Sequence, residues 1–256
     1  MVFCNFQSPQ DTVMKQHSDQ KSKRRSKVYN PLYSMPAIEP RTKAQAELLE
    51  AITQNDVIIA TGPAGTGKTY IPTLCAAIAL MTRQTSRIIL TRPAVEAGRR
   101  LGFLPGNLEE KYQPYLEPFE ELLTSAFGPA DLKGKISSGT ICPKPMGFMR
   151  GLSFHDSWVL LDEAQNTTPE EMFLLLSRAG EDSKIILMGD AMQQDIHGDC
   201  GLLDAIDVLE GEPGVAVVDF GLEDIVRSDL AKRIITAYNR DLVTRLLLDT
   251  PTYETH

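Results

Sequence analysis

Eight consecutive residues, Gly62-Pro63-Ala64-Gly65-Thr66-Gly67-Lys68-Thr69, carry the spacing G-x-x-x-x-G-K-T, and the short β-branched run Val57-Ile58-Ile59-Ala60-Thr61 leads straight into them. Glycines at these positions let the backbone fold around a polyphosphate so that several N–H groups converge on it. The helix expected to follow adds the partial positive charge of its N-terminus. Lys68 is then set to reach β- and γ-phosphates and Thr69 to ligate Mg²⁺. A second cluster, Asp162-Glu163, ends the apolar run Trp158-Val159-Leu160-Leu161. At a strand tip, Asp162 would join Thr69 in the Mg²⁺ shell, while Glu163 would face the γ-phosphate and deprotonate water. A third, Gly189-Asp190-x-x-Gln193, follows Lys184-Ile185-Ile186-Leu187-Met188. The Gln193 amide could hydrogen-bond the γ-phosphate or its water. The chemistry these residues suit is Mg²⁺-dependent hydrolysis of a nucleoside triphosphate.

Such groups must be held on strand tips, and the sequence supplies the strands. Val57–Ala60, Arg87–Thr91, Trp158–Leu161, Lys184–Met188 and Val215–Val218 are nearly all apolar. That pattern predicts strands buried on both faces, each ending where a polar or glycine-bearing motif begins. Helical stretches alternate with them, which predicts an α/β fold: a mostly parallel sheet with helices on both faces and ligands at the strands' carboxyl ends. A helix is expected over Thr42–Ile52. Between the second and third strands runs a proline-rich excursion, Arg92 to about Arg150, with a helix expected near Pro114–Ala126. It reads as an insertion with its own job.

Length and composition set limits. The chain has 256 residues, 42% of them hydrophobic, enough for one large domain. We expect that domain over residues 37–256, preceded by a polar arm over 1–36 that holds the basic cluster Lys21-Ser22-Lys23-Arg24-Arg25-Ser26-Lys27. A net charge of −8 argues against a general polyanion binder, so any nucleic acid must meet a local basic patch. Cys4, Cys75, Cys142 and Cys200 form no C-x-x-C pair and share no metal-ligand spacing with the four histidines. Reduced thiols in a cytoplasmic protein are the expectation. No apolar run approaches the ~20 residues of a membrane span.

Taken together, these motifs resemble the PhoH-like family of P-loop ATPases, whose fold is similar to a single RecA-like motor domain of superfamily 1 helicases. The resemblance also rests on Arg92-Pro93-Ala94-Val95-Glu96-Ala97-Gly98, Leu101-Gly102-Phe103-Leu104-Pro105-Gly106, Pro114-Tyr115-Leu116-Glu117-Pro118, Phe148-Met149-Arg150-Gly151 and Asp162-Glu163-Ala164-Gln165-Asn166-Thr167-Thr168. It covers about residues 40–240. It implies that Gln45 reads an adenine edge, the alternative being an exposed helix residue, and that the nucleotide contacts extend to Tyr70. Gln165 and Asn166 would tie the acidic strand to the Gln193 segment. Arg92 would meet a nucleic-acid backbone or else form a structural ion pair. Arg99 and Arg100 stand where the family commonly has an acidic residue after Gly98, making that loop more basic and a candidate contact to RNA or to a neighbouring subunit. Pro72 departs from the family's small helix former and would bend its helix if it fell beyond the first turn.

The same resemblance implies a ring. Helicases complete the site with an arginine from a second motor domain, which this length has no room for, and a head-to-tail hexamer would supply one from each neighbour. Arg227 is the first candidate for that arginine and Arg150 the second. The expected activity is ATP hydrolysis coupled to single-stranded RNA or DNA. An ATP-dependent assembly or binding protein with little turnover is the alternative. A small-molecule kinase would want an arginine-rich lid, which the sequence does not display.

Overall fold

The computed structural model describes residues 38–93, 95–96, 99–100, 108–195 and 198–249. The arm expected over 1–36 lies outside them. In chain order the elements are α1 (Lys43–Gln54), β1 (Val57–Thr61), α2 (Tyr70–Met81), β2 (Arg87–Thr91), the antiparallel pair β3 (Val95–Glu96) and β4 (Arg99–Arg100), α3 (Leu108–Phe127), α4 (Pro129–Ser137), β5 (Ile141–Pro143), β6 (Ser157–Leu161), α5 (Pro169–Leu176), β7 (Lys184–Gly189), α6 (Gly201–Leu209), β8 (Val215–Asp219) and α7 (Asp229–Asp249).

Six strands form one parallel sheet in the order β5-β2-β6-β7-β1-β8. Alternation of side chains along each strand builds two cores. Ile58 and Ala60, Ile88 and Leu90, Trp158 and Leu160, and Ile186 and Met188 pack under α1, α2, α3 and α4 on one face. Ile59, Ile89, Val159 with Leu161, and Ile185 with Leu187 pack under α5 and α6 on the other. Burial of both faces is why the strands read as unbroken apolar runs. This is an α/β domain, a parallel sheet with helices on both faces and the glycine loop at the end of β1, as the sequence predicts.

Local chemistry fixes where elements start. The Thr42 hydroxyl accepts the Gln45 N–H at 3.3 Å and opens α1. Thr168 and Glu171 form a reciprocal capping box on α5, with Pro169 in the first turn.

One expectation needs correction, and the condition set on Pro72 is not met. The excursion after β2 is not all insertion, because Ile141–Pro143 returns to the sheet as its edge strand, pairing Ile88 with Ile141. Three residues are too short for a periodic signal, and Pro143 is tolerated because β5 lies at the sheet edge. Pro72 is the third residue of α2 and does not end the helix. Ile71 N–H to Gly67 C=O (3.0 Å) and Thr73 N–H to Thr69 C=O (3.2 Å) flank the bond that proline cannot make.

Candidate nucleotide site

The strand order decides the site's dimensions. β7 lies between β1, which feeds the glycine loop, and β6, which carries the acids. The acids therefore sit two strands from the loop, roughly 10 Å at the ordinary spacing between neighbours. Residues at the start of α2 span that gap: the Thr69 hydroxyl donates to Asp162 Oδ1 at 3.0 Å. At the loop's other end the Gly62 N–H donates to the Gly189 carbonyl at 3.2 Å, so the tips of β1 and β7 are joined directly.

An open cleft of about 910 Å³ lies over these tips. Its floor is Ala64, Gly65, Gly67, Lys68 and Thr69, and one wall is Asp162, Glu163, Asp190 and Gln193. Gly62, Pro63 and Thr66 shape the loop from beneath. The Pro63 carbonyl accepts from Lys68 Nζ (2.6 Å) and from the Thr66 hydroxyl (3.0 Å). Burial pulls the Lys68 pKa below its ordinary value even though Asp190, Asp162 and Glu163 all act to raise it. Burial likewise pushes Asp162 upward, reinforced by Glu163 and opposed by Arg92 and Thr69. Asp190 is raised too, first by burial. Asp162, Glu163 and Asp190 thus all act electrostatically on one buried lysine.

Glu163 is held in the left-handed region (φ 55°), which costs a non-glycine residue roughly 1 kcal/mol. The turn aims its carboxylate away from the strand axis and into a polar network. Gln165, 1% exposed, is the hub of that network. Its Nε2 donates to Glu163 Oε2 at 2.7 Å and to the Gln193 carbonyl at 3.4 Å, and its Oε1 accepts the Asp190 N–H at 3.0 Å. Asn166 Oδ1 accepts the Asp195 N–H at 2.8 Å, a second tie between the β6 and β7 tips. Gln193 Nε2 donates to Asp190 Oδ2 at 2.8 Å, so its amide stands beside the acids. Backbone strain held by such a network is a mark of functional sites.

The remaining expected residues fall in several places. Gln45 lines the cleft, but its amide is already engaged: Nε2 donates to the Thr66 carbonyl at 2.7 Å and Oε1 accepts the Arg41 N–H at 2.7 Å. It braces the glycine loop and keeps only part of its capacity for a base. Tyr70 lies at the cleft with about half its surface exposed. Arg92 approaches Asp162 (Nε to Oδ2, 3.8 Å) and Glu163 (Nη2 to Oε1, 3.6 Å), which is the ion-pair alternative. It also lines a second cleft, of about 860 Å³, that shares Glu163 and Gln193 with the first. Arg99 and Arg100 form β4, away from the six-stranded sheet. Arg150 is exposed beyond the 3₁₀ turn Met146–Met149. Arg227, the first candidate for a neighbour's site, lines the cleft of its own chain.

Sequence reasoning missed part of the cleft. Glu117, Pro118, Glu121 and Leu122 of α3 line the cleft, as do Glu39 and Arg41. The spacing i, i+1, i+4, i+5 is the signal that one helix face is involved, but nothing local says what it faces. Asp190 was legible only as part of a motif, not as a buried acid beside Lys68.

Thr69 and Asp162 offer hard oxygen donors in direct contact, a set that suits Mg²⁺, which takes few protein ligands and fills its shell from phosphates and water. Among the described residues no group of three or more His, Cys, Asp or Glu could hold a metal by itself, and no helix is long and apolar enough to cross a membrane.

Comparison with known proteins agrees with this geometry. A family model described as PhoH-like protein matches residues 37–239. A PhoH-like protein of Mycobacterium tuberculosis is 44% identical over 205 residues, which are 79% of this chain and 58% of that protein. One from Bacillus subtilis is 42% identical over 206 residues, 80% of this chain and 65% of the other. The chain thus spans under two thirds of the length of these relatives. The HK97 bacteriophage large terminase, a solved structure, superposes with a TM-score of 0.49 at 12% identity, covering 84% of this chain and 50% of that one. From the approach to the glycine loop through most of the sheet and into α7, the matched stretch leaves one conclusion: the chain belongs to the PhoH-like family.

Proposed function

We propose that the chain is a Mg²⁺-dependent ATP hydrolase whose turnover is coupled to binding or remodelling of single-stranded RNA or DNA, with residues 37–256 as the working domain. The observation that carries this reading is one cleft that gathers Lys68, Thr69, Asp162, Glu163 and Gln193 from the tips of three strands and the start of a helix. The loop amides and Lys68 grip the polyphosphate. Mg²⁺ held by Thr69 and Asp162 would offset charge on the phosphate oxygens. Glu163 takes the proton of the attacking water, and Gln193 orients that water through its amide. A pure binding module has no need of a strained carboxylate held by a buried glutamine, so hydrolysis is favoured over ATP-dependent assembly alone.

Two further features support the coupling and a ring. The second cleft meets the first at Glu163 and Gln193, so an occupant there would touch the groups that sense the terminal phosphate. Ile234 and Tyr238 of α7 line that second cleft, whereas Leu230, Phe148 and Phe173 are exposed outside it. Unlike apolar surfaces on one chain suit a head-to-tail contact, which closes into a ring such as a hexamer.

Steady-state hydrolysis with and without single-stranded RNA and DNA tests the reading. Mg²⁺-dependent turnover, accelerated several-fold by one of the two polymers, is expected. Turnover indifferent to both would remove the nucleic-acid half, and none under any condition would return the chain to the assembly class.

A further inference from the structure

We propose that Arg227 is a cation of its own chain's phosphate site, meeting the terminal phosphate beside Lys68, rather than a donor to a neighbouring subunit; this rests on the reading of the cleft as a triphosphate site. The segment that carries Arg227 is built onto the glycine loop at successive points. β8 runs beside β1 with Asp219 opposite Thr61, and the Phe220 N–H donates to the Thr61 carbonyl at 2.8 Å. Buried Asp224 accepts the Gly221 N–H at 2.9 Å and closes the turn that follows. Ile225 is buried, and the Val226 N–H then donates to the Gly65 carbonyl at 2.9 Å. Arg227 comes next in the chain, and its stem lies across Gly65. A Cβ on that glycine, whose φ is 82°, would stand 2.8 Å from both Cγ and Nε of Arg227.

Charge points the same way. The cations lining the cleft are Arg41, Lys68 and Arg227, and the Arg41 N–H donates to Gln45. Of these three, Lys68 acts electrostatically on Asp162, Glu163 and Asp190, while Arg92, outside this lining, lies 3.8 Å from Asp162 and 3.6 Å from Glu163. A triphosphate adds about four negative charges and its Mg²⁺ returns only two, so the phosphate site favours a further cation at the loop beside Lys68. A guanidinium suits that place because it stays charged and presents a planar fork of donors to phosphate oxygens. It makes and breaks no covalent bond; it donates hydrogen bonds to oxygens on which charge accumulates. Reaching into a neighbour's cleft would require the Arg227 stem to swing off Gly65.

The test compares affinities of the full chain for ADP and for the β,γ-methylene analogue of ATP, with Arg227→Met as the variant. Methionine keeps an unbranched apolar stem over Gly65 and removes the charge. The expected result is a loss of roughly ten- to a hundredfold for the triphosphate analogue, with ADP affinity held within about twofold of the parent and partial rescue in Arg227→Lys. Equal loss for both nucleotides, or no loss, overturns the proposal. Lys68→Ala separates the two readings, because it should weaken both nucleotides; if it weakens neither, the triphosphate reading itself fails. Differently tagged Arg227→Met and Lys68→Ala chains, co-expressed and purified through both tags, complete the test. Mixed assemblies should hydrolyse ATP no faster than the two variants alone, and absence of any mixed assembly would exclude donation between chains. Recovered turnover would place Arg227 in the neighbour's site and overturn the proposal.

Discussion

Glu163→Gln binds Mg·ATP as the parent chain does and hydrolyses it about 10²- to 10⁴-fold more slowly, the usual contribution of a general base. The expectation follows from where the side chain is and what it touches. Its Oε2 accepts from Gln165 Nε2, and its other oxygen faces Arg92 at 3.6 Å. With 44% of the side chain exposed, it keeps access to water in the cleft. Glutamine has the same length and the same backbone preferences, so the network and the left-handed turn persist. An amide, however, has no proton-accepting lone pair of comparable basicity. Removing a negative charge near a polyphosphate also works against any loss of affinity. Initial rates under saturating ATP, read beside a binding titration, check both halves. Parental turnover in the variant would remove Glu163 from the mechanism.

The other large effect is on the scaffold. Gly62→Ala should destabilise the fold by about 3 kcal/mol or more and take nucleotide binding with it. Gly62 sits at φ 131°, a region that L side chains rarely adopt, and an added Cβ would stand 2.2 Å from the Phe220 carbonyl oxygen. The obstacle is backbone at the end of β8, so no rotamer change relieves it. Either β8 parts from β1 at the site or the loop takes another path. Gly139→Ala is the matched control: its φ is 72°, but no atom lies within 4 Å of an added Cβ. It should cost only about 1 kcal/mol. Urea midpoints of the two variants measure the difference. Equal shifts would mean that dihedral strain, not the contact with Phe220, sets the cost.

How much of this was legible beforehand follows from the range of the physics involved. The glycine loop and the buried strands are local patterns, and the structure has the loop at the end of β1 with the acids at the end of β6. Strand order was not local: nothing in Val57–Thr61 or Trp158–Leu161 says that β7 separates them. β5 escaped because three residues carry no periodicity. The motif around Asp162 announced the acids but not the left-handed backbone of Glu163, since glutamate gives no sign of positive φ as glycine does. Gln45 stood out on a helix before β1, yet its bonds to Thr66 and Arg41 depend on how α1 docks. Arg227 was singled out by its neighbours in sequence, while its position over Gly65 arises from β8 pairing with β1, more than 150 residues after that strand.

Calorimetric titration of Mg·ATP into the parent chain and into Lys68→Ala tests the central claim most directly. One saturable site in the parent, weakened roughly a hundredfold when the Lys68 ammonium is removed, is the result expected for a charge-assisted grip on phosphate. No binding in the parent, or the same affinity in both chains, would contradict a nucleoside triphosphate held at the tips of β1, β6 and β7.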